Sequence, residues 1–118
     1  MPTHRDIIEQ LKAFRTARDW EQFHTPKDLA ISITLEAAEL LEHFQWKKPE
    51  EVQQHIQENR EAIGEEMADV ASYLFLLAED LGIDLHAAME AKIRRNEERY
   101  PVALARGSAA KYDHYQKD

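Results

Sequence analysis

The sequence contains no cysteine and few residues that interrupt a helix. Without a thiol, the chain can form neither a disulfide nor a thiolate zinc site, and this composition fits a cytoplasmic protein. Only three glycines and four prolines occur in 118 residues, so long regular segments are expected. Basic residues are also in the minority, with 15 Lys and Arg against 23 Asp and Glu and a formal net charge of -8.

Long apolar runs are lacking too. The stretch YLFLLA at residues 73–78 is far shorter than the ~20 residues that span a bilayer. The first residues, MPTHRDIIEQLK, have no apolar segment of the kind that a signal peptide needs. We therefore expect a soluble, cytoplasmic protein without a membrane partner. The acidic balance argues against sequence-independent binding of nucleic acid, which depends on Lys and Arg at phosphates. A nucleotide bridged by a divalent cation is compatible with it, because the cation reverses the local field.

Apolar residues recur with the period of an α-helix, which predicts an all-α bundle of four to five helices. Thr3 and Asp84 are suited to cap the first and last of them, and Gly82 to end the longest. We expect a single domain at residues 1–104, with residues 105–118 as an extended or mobile tail. The predicted helices begin after Thr3 and then span about 27–46, 49–59, 61–81 and 84–98.

The predicted helices are thin and amphipathic. A chain of this length covers only about two thirds of the surface that its unfolded form exposes. We therefore expect association of copies, at least into a dimer, to complete the core.

Two predicted helices each carry a pair of acids, three residues apart, beside an apolar row. With Leu29 at zero on a helical wheel, the apolar residues of the second helix extend to about +80°, whereas Glu36 lies at about −20° and Glu39 at about −80°. In the long helix, Glu66 and Asp69 flank a similar row, which consists of Ile63, Met67, Val70, Leu74, Leu77 and Leu81. Glu36 thus falls within its apolar row, where an isolated charge is costly.

If these two helices pack together, four carboxylates converge beside a core. Alone they would repel one another and become protonated, whereas a divalent cation would keep them ionised. Oxygen ligands favour Mg²⁺, with Mn²⁺ as a substitute, over Zn²⁺. The sequence therefore predicts a magnesium site formed by these carboxylates.

Two alternatives to the magnesium site stay open. In a helical chain with 23 acids, acids three residues apart often lie on a solvated surface, as they would in a non-catalytic helical interaction module. A carboxylate-bridged di-iron bundle is a weaker alternative, because it needs Glu-x-x-His on two helices. The only such spacing in the sequence joins Glu21 to His24, in a predicted loop.

Five stretches accompany the acidic pairs and together run over most of the chain: RDWEQFH at 18–24, HFQWK at 43–47, EEMADVASYL at 65–74, AKIRRNEERYP at 91–101 and RGSAAKY at 106–112. With E-x-x-E and the later E-x-x-D, they resemble the MazG-like nucleoside triphosphate pyrophosphohydrolases, and within them the dCTP pyrophosphatase branch. The resemblance implies a Mg²⁺-dependent enzyme that converts a nucleoside triphosphate, dCTP or a modified dCTP, to the monophosphate and pyrophosphate. The implied mechanism is in-line attack of water on the α-phosphorus, while Mg²⁺ neutralises the triphosphate.

The resemblance also implies roles for individual residues. Either Glu36 or Glu39 would be the catalytic base, and the sequence does not choose between them. A surface lysine, a core tryptophan and a loop histidine are the alternative interpretations of Lys92, Trp46 and His24. The implied sites are metal ligands Glu36, Glu39, Glu66 and Asp69; phosphate contacts Lys92 and Asn96; and a base pocket of Trp20, His24, Trp46 and Tyr73. Arg99 would either contact phosphate as well or anchor the last helix.

The sequence departs from the family pattern around the first acidic pair. Leu35 and Ala38 stand where the family has glycines, so helix packing is expected to differ there. The resemblance further implies a tetramer whose sites are shared between subunits. Base and sugar preference, the number of metal ions and the cellular role are not determined by the sequence.

Overall fold

The all-α prediction is confirmed by a computed structural model, which describes residues 1–107. Its elements are α1 (His4–Ala17), a 3₁₀ turn (Glu21–Phe23), α2 (Pro26–Glu42), α3 (Pro49–Glu58), α4 (Arg60–Leu81), α5 (Leu85–Arg99) and the short α6 (Val102–Ala105). Contacts divide the chain into two compact units, Met1–Gly82 and Ile83–Asp118, which are described separately. The single domain at residues 1–104 stays a prediction.

Local capping explains where the helices begin. At α1, the Thr3 hydroxyl accepts from the backbone N–H of Asp6 at 3.1 Å, and the Asp6 carboxylate accepts from the Thr3 N–H at 2.9 Å, which forms a capping box. At α2, Thr25 is extended and its hydroxyl accepts from the N–H of Asp28, while Pro26 occupies the first turn, where its missing N–H is harmless.

The helices differ from the predictions in two respects. The second helix ends at Glu42, and residues 43–46 form a turn instead of a last helical turn. The four-residue α6 was not predicted, since its segment has no apolar periodicity. Residues 108–118 of the predicted tail lie outside the described part of the chain.

Helix α4 is the centre of the Met1–Gly82 unit, because α1, α2 and α3 all pack against it and α2 does so most extensively. The predicted apolar row is buried in large part: Leu29 is 1% exposed, and Ile33, Leu40 and, in the turn after α2, Phe44 are half-buried, whereas Ala37 at the edge of the row is exposed. The pairing of α2 with α4 brings together the two helices that carry the acidic pairs.

The predicted core row of α4 is only partly buried. Ile63, Val70 and Leu77 of the predicted row are half-buried, whereas Met67, Leu74 and Leu81 are 57%, 38% and 52% exposed. The buried residues Leu76 and Ala78 lie outside the row. Because three helices pack against α4, its buried surface does not follow a single row.

In the Ile83–Asp118 unit, α5 begins where the Asp84 carboxylate accepts from the N–H of Ala87 at 3.0 Å. It ends where the N–H of Tyr100 donates to the carbonyl of Asn96. Met89 and Ile93 on α5 are each 55% exposed. Over the described residues of both units, none of the helices is long and apolar enough to cross a membrane.

Candidate active site

Three carboxylates meet where α2 packs against α4. Glu36 and Glu39 come from α2 and Glu66 from α4, and one oxygen of each lies within 4.8 Å of the others. The i,i+3 spacing places Glu36 and Glu39 on the same face of α2, and packing of the two helices supplies the third acid. The expected convergence across the helix pair is therefore present for these three residues.

Crowding of the acids changes their titration. Burial, a hydrogen bond to Glu39 and the charges of Glu39, Asp69 and Glu66 raise the pKa of Glu36 from 4.5 to about 7. Burial and the same neighbours Glu39 and Asp69 also raise the pKa of Glu66. Both shifts disfavour the ionised form, as expected when like charges share a partly desolvated site.

Two carboxylate oxygens in this group are buried and unpartnered among the described residues, Oε2 of Glu36 and Oε2 of Glu66. Leaving such a buried acceptor without a hydrogen bond is unfavourable. A divalent cation would both coordinate these oxygens and offset the repulsion. The donor set of carboxylate oxygens therefore fits a hard cation such as Mg²⁺.

Asp69 lies at the edge of this group. Its side chain is exposed and is not among the three mutually close acids, yet its charge contributes to the raised pKa values of Glu36 and Glu66. Asp69 also lines a neighbouring aromatic cavity. It thus borders both the carboxylates and the aromatic residues.

The aromatic cavity has a volume of about 240 Å³. Its rings form a chain in space: Trp20 lies 5.6 Å from Phe14 and 6.1 Å from His24, and His24 lies 6.2 Å from Tyr73 in an edge-on arrangement. Rings at such distances and angles make favourable aromatic contacts. The cavity therefore presents aromatic surface suited to a planar heterocycle.

The loop after α1 positions these rings. Asp19 adopts a left-handed backbone conformation (φ 54°), which Asp tolerates better than most residues. Its carboxylate accepts from the amide of Gln22 at 3.0 Å, and the 3₁₀ turn follows. The loop thereby brings Trp20 and His24 beside α4.

Of the four residues predicted for the base pocket, Trp20, His24 and Tyr73 line the same cavity. Burial and the charges of Glu36 and Asp69 raise the pKa of the Tyr73 phenol, so it remains a hydrogen-bond donor at neutral pH. Trp46 is 87% exposed in the turn after α2 and is not part of this cavity lining.

The three residues predicted to contact phosphate lie in the Ile83–Asp118 unit. Lys92 is exposed and Asn96 half-buried, and the i,i+4 spacing places them on one face of α5. Arg99 is the last residue of α5 and half-buried. Their roles stay predictions.

Sequence reasoning missed four polar residues near the acids. Arg15 is 7% exposed, lines the aromatic cavity, and makes two 2.8 Å hydrogen bonds to Asp80. His43 and His55 line a second cavity of about 420 Å³ together with Glu39, Glu42 and Glu66, and Asn59 contacts His55. Of these, His43 had a usable signal, since it follows Glu39 by one helical turn.

A profile of the MazG-like family matches residues 31–114, most of the chain. The chain belongs to the MazG-like family. The match includes Glu36, Glu39, Glu66 and Asp69, so the family expected from the sequence is confirmed.

Individual relatives agree with this membership. The chain is 44% identical over 113 residues to dCTP pyrophosphatase 1 of Bos taurus, covering 94% of this chain and 67% of that protein. It is 42% identical over 113 residues to dCTP pyrophosphatase 1 of Homo sapiens, covering 94% and 66%. The chain thus spans about two thirds of the length of these relatives.

A solved structure shares the fold of this MazG-like chain. The crystal structure of a pyrophosphatase from Archaeoglobus fulgidus DSM 4304 superposes with a TM-score of 0.79 and 39% identity, covering 82% of this chain and 91% of that one. The all-helical arrangement is therefore one that a solved pyrophosphatase also has.

Proposed function

We propose that this protein is a Mg²⁺-dependent nucleoside triphosphate pyrophosphohydrolase that releases the monophosphate and pyrophosphate. The observation that carries the proposal is the group of Glu36, Glu39 and Glu66, whose oxygens lie within 4.8 Å of one another and include two buried, unpartnered atoms. Such a group is suited to a cation that binds phosphates. MazG-like membership and the pyrophosphatase relatives indicate an enzyme of this class.

The proposed substrate is dCTP or a modified dCTP, because the similar curated proteins are dCTP pyrophosphatases. The aromatic cavity supports a base-binding role, since Trp20, His24 and Tyr73 line it beside Asp69. An aromatic face stacks a nucleobase, and polar ring edges and the Tyr73 hydroxyl donate or accept hydrogen bonds at its rim. Trp46 would complete the base pocket.

The chain's own residues have distinct tasks in this proposal. Glu36, Glu39, Glu66 and Asp69 would hold the cation, and Glu36 or Glu39 would accept the proton of the attacking water. When bound, Mg²⁺ supplies positive charge that stabilises the phosphate chain and lowers the pKa of a coordinated water. Lys92, Asn96 and Arg99 would bind phosphate oxygens. Asp69 borders both the acids and the aromatic cavity. It is therefore suited to position the phosphates relative to the base.

The partners and location are also part of the proposal. We propose a homo-oligomer, a dimer or tetramer, in the cytoplasm, without nucleic-acid or membrane partners. Exposed apolar side chains on α2 and α4, such as Leu35 at 59% and Met67 at 57%, support association. Leu35 occupies a family glycine position and lies on the exposed surface of the single chain.

A pyrophosphate-release assay tests the function directly. The panel contains canonical and modified dNTPs and NTPs with Mg²⁺, and we expect pyrophosphate release that is highest with a cytosine nucleotide and abolished by EDTA. Equal rates with all bases would refute the cytosine preference, and release of orthophosphate in place of pyrophosphate would refute the reaction type.

The matched variants are Asp69→Asn and, as a control, the exposed Glu65→Gln next to Glu66. We expect loss of activity in the first and retention in the second, both with unchanged helicity. A helical interaction module would instead show neither pyrophosphate release nor a Mg²⁺-dependent rise in melting temperature.

A further inference from the structure

Three side chains from neighbouring helices form a hydrogen-bonded chain. They are Asn59 directly before α4, His55 on α3 and His43 directly after α2. Asn59 Nδ2 lies 3.1 Å from His55 Nδ1, and His55 Nε2 lies 2.7 Å from His43 Nδ1. All three side chains are half-buried. We refer to Asn59, His55 and His43 as the relay.

The relay has a defined direction. The amide nitrogen of Asn59 also donates to the backbone carbonyl of His55 at 3.1 Å, which fixes the orientation of the amide. The same Nδ2–H₂ group faces His55 Nδ1, so this ring nitrogen accepts. In a neutral imidazole the other nitrogen then carries the proton, and His55 Nε2–H donates to His43 Nδ1. In a neutral His43 ring, whose Nδ1 accepts this hydrogen bond, the proton is on Nε2.

The two histidines of the relay lie beside acidic residues. His43 and His55 line the 420 Å³ cavity together with Glu39, Glu42 and Glu66. His43 thus shares a cavity with two of the candidate metal ligands.

The direction of the relay argues against a metal ion between the two histidines. A metal on His55 Nε2 would require the proton on Nδ1, where it would face the donating amide of Asn59. The complementary ligand for His43 Nε2–H is instead a hydrogen-bond acceptor. The carboxylates of Glu39, Glu42 and Glu66 in this cavity are acceptors of this kind, and beside a cation bound there so is an anionic phosphoryl oxygen.

We propose that the relay presents the Nε2–H of His43 to an oxygen of the pyrophosphate group. The proposal rests on the proposed function and deepens it: His43 binds the leaving group, and His55 and Asn59 are positioning residues that act through it. A neutral N–H donates without adding charge, so it binds the anion without competing with a cation for the carboxylates.

Nitrogen-15 NMR of the histidine side chains tests the relay itself. We expect both His43 and His55 to be in the Nε2–H tautomer in the unliganded protein at neutral pH. Asn59→Ala should remove the fixed tautomer of His55, whereas the exposed Gln57→Ala on α3 should leave it. A proton on Nδ1 of His43 in the wild-type protein would overturn the proposal.

Pyrophosphate binding in the presence of Mg²⁺, measured by calorimetry, tests the ligand. We expect His43→Leu to weaken binding by about tenfold or more, the effect of losing a hydrogen bond to a charged group. His43→Gln keeps an N–H donor and should restore most of the affinity. His55→Phe should weaken binding although it leaves His43 in place, and Gln57→Ala should not.

Binding of Mg²⁺ alone distinguishes the relay from the metal site. Its affinity should be the same in the wild-type and His43 variants. Wild-type pyrophosphate affinity in His43→Leu, an equal loss in His43→Gln, or a loss of Mg²⁺ affinity would each overturn the proposal. If His43→Leu does not fold, His55→Phe decides in the same way. A wild-type protein that binds pyrophosphate through His43 but cleaves none of the nucleotides would refute the proposed function and leave this site supported.

Discussion

Glu36 combines two properties that rarely coincide in one side chain. It lies within the apolar row of α2 and shares its surroundings with Glu39 and Glu66. Its unpartnered Oε2 and its raised pKa show that the fold without a cation does not satisfy this carboxylate. A carboxylate that destabilises the metal-free protein is explained most simply if it binds a cation.

Replacing the carboxyl of Glu36 by an amide should separate stability from activity. We expect Glu36→Gln to lower the pyrophosphatase rate by about 100-fold or more, because a metal contributes several kcal/mol of charge stabilisation and each 1.4 kcal/mol is a factor of ten. In EDTA at neutral pH the same variant should melt at a higher temperature than wild type. Activity assays and thermal unfolding check the two effects, with the exposed Glu65→Gln as control. A variant with wild-type activity would contradict the ligand assignment.

The raised pKa of Glu36 also predicts a pH dependence of metal-free stability. The carboxyl has a pKa of about 7 in the folded chain against 4.5 as the ordinary value, so the folded state binds the proton more tightly. Its stabilising contribution is then complete below about pH 4.5 and is lost as the pH rises through about 7. Urea unfolding in EDTA from about pH 5 to pH 8 measures this as the difference between wild type and Glu36→Gln. A difference that does not change with pH would contradict the assignment.

Among the secondary-structure elements, α4 contains one glycine that its backbone conformation requires and another that it does not. Gly82 ends the helix with φ 67°, whereas Gly64 lies inside it, and a Cβ at Gly64 would meet no atom within 4 Å among the described residues. An L-residue in the left-handed region costs roughly 1–2 kcal/mol, and glycine in a helix interior is about 0.5–1 kcal/mol worse than alanine. We therefore expect Gly82→Ala to destabilise the protein and Gly64→Ala to stabilise it by these amounts. Urea denaturation checks both, and equal signs would contradict the local argument.

A partly buried ion pair joins α1 to α4. The side chain of Arg15 is 8% exposed and that of Asp80 28%, and their two 2.8 Å hydrogen bonds raise the pKa of the Arg15 guanidinium against the effect of its burial. Asp80→Asn should cost roughly 2–3 kcal/mol, because it leaves a buried charge with weaker partners. The more exposed pair of Arg5 with Glu79 serves as comparison, and Arg5→Ala should cost less than Asp80→Asn, because solvent screens an exposed ion pair. Chemical denaturation of both variants tests the ranking.

The contrast between local sequence signals and contacts made by packing explains which features could be predicted from the sequence. The start or end of several helices follows from local signals such as Thr3, Gly82 and Asp84, and the position of Glu36 in its apolar row follows from the periodicity alone. The partners of Arg15 and of His43 could not be predicted in this way, because Asp80 and His55 lie on other helices and are brought close only by packing. The partial exposure of the α4 row has the same origin, since the three helices that pack against α4 bury other positions.

For the whole molecule, the main feature is that the single chain buries few apolar side chains. Within residues 1–107 the buried apolar side chains are Ile8, Leu29, Leu76 and Ala78. On α2, Ile31 and Leu35 are exposed one turn apart. On α4, Met67, Leu74 and Leu81 recur every seven residues, which places them on one face of the helix. Exposed apolar rows of this kind mark interaction surfaces.

We expect a second copy of the chain to cover these rows in solution. Burying one such side chain contributes about 1.5–3 kcal/mol, so a few of them on each copy are sufficient for a stable contact. Leu35→Glu and Met67→Glu alter positions that are 59% and 57% exposed in the single chain. Each should therefore retain the helical content while shifting the protein towards the monomer. Light scattering coupled to gel filtration measures the mass, and Gln57→Glu adds the same charge on α3 as a control. A wild-type monomer at micromolar concentration, or variants with unchanged mass, would show that the rows are not the interface, because a buried apolar contact cannot accommodate an unpaired carboxylate without loss of affinity.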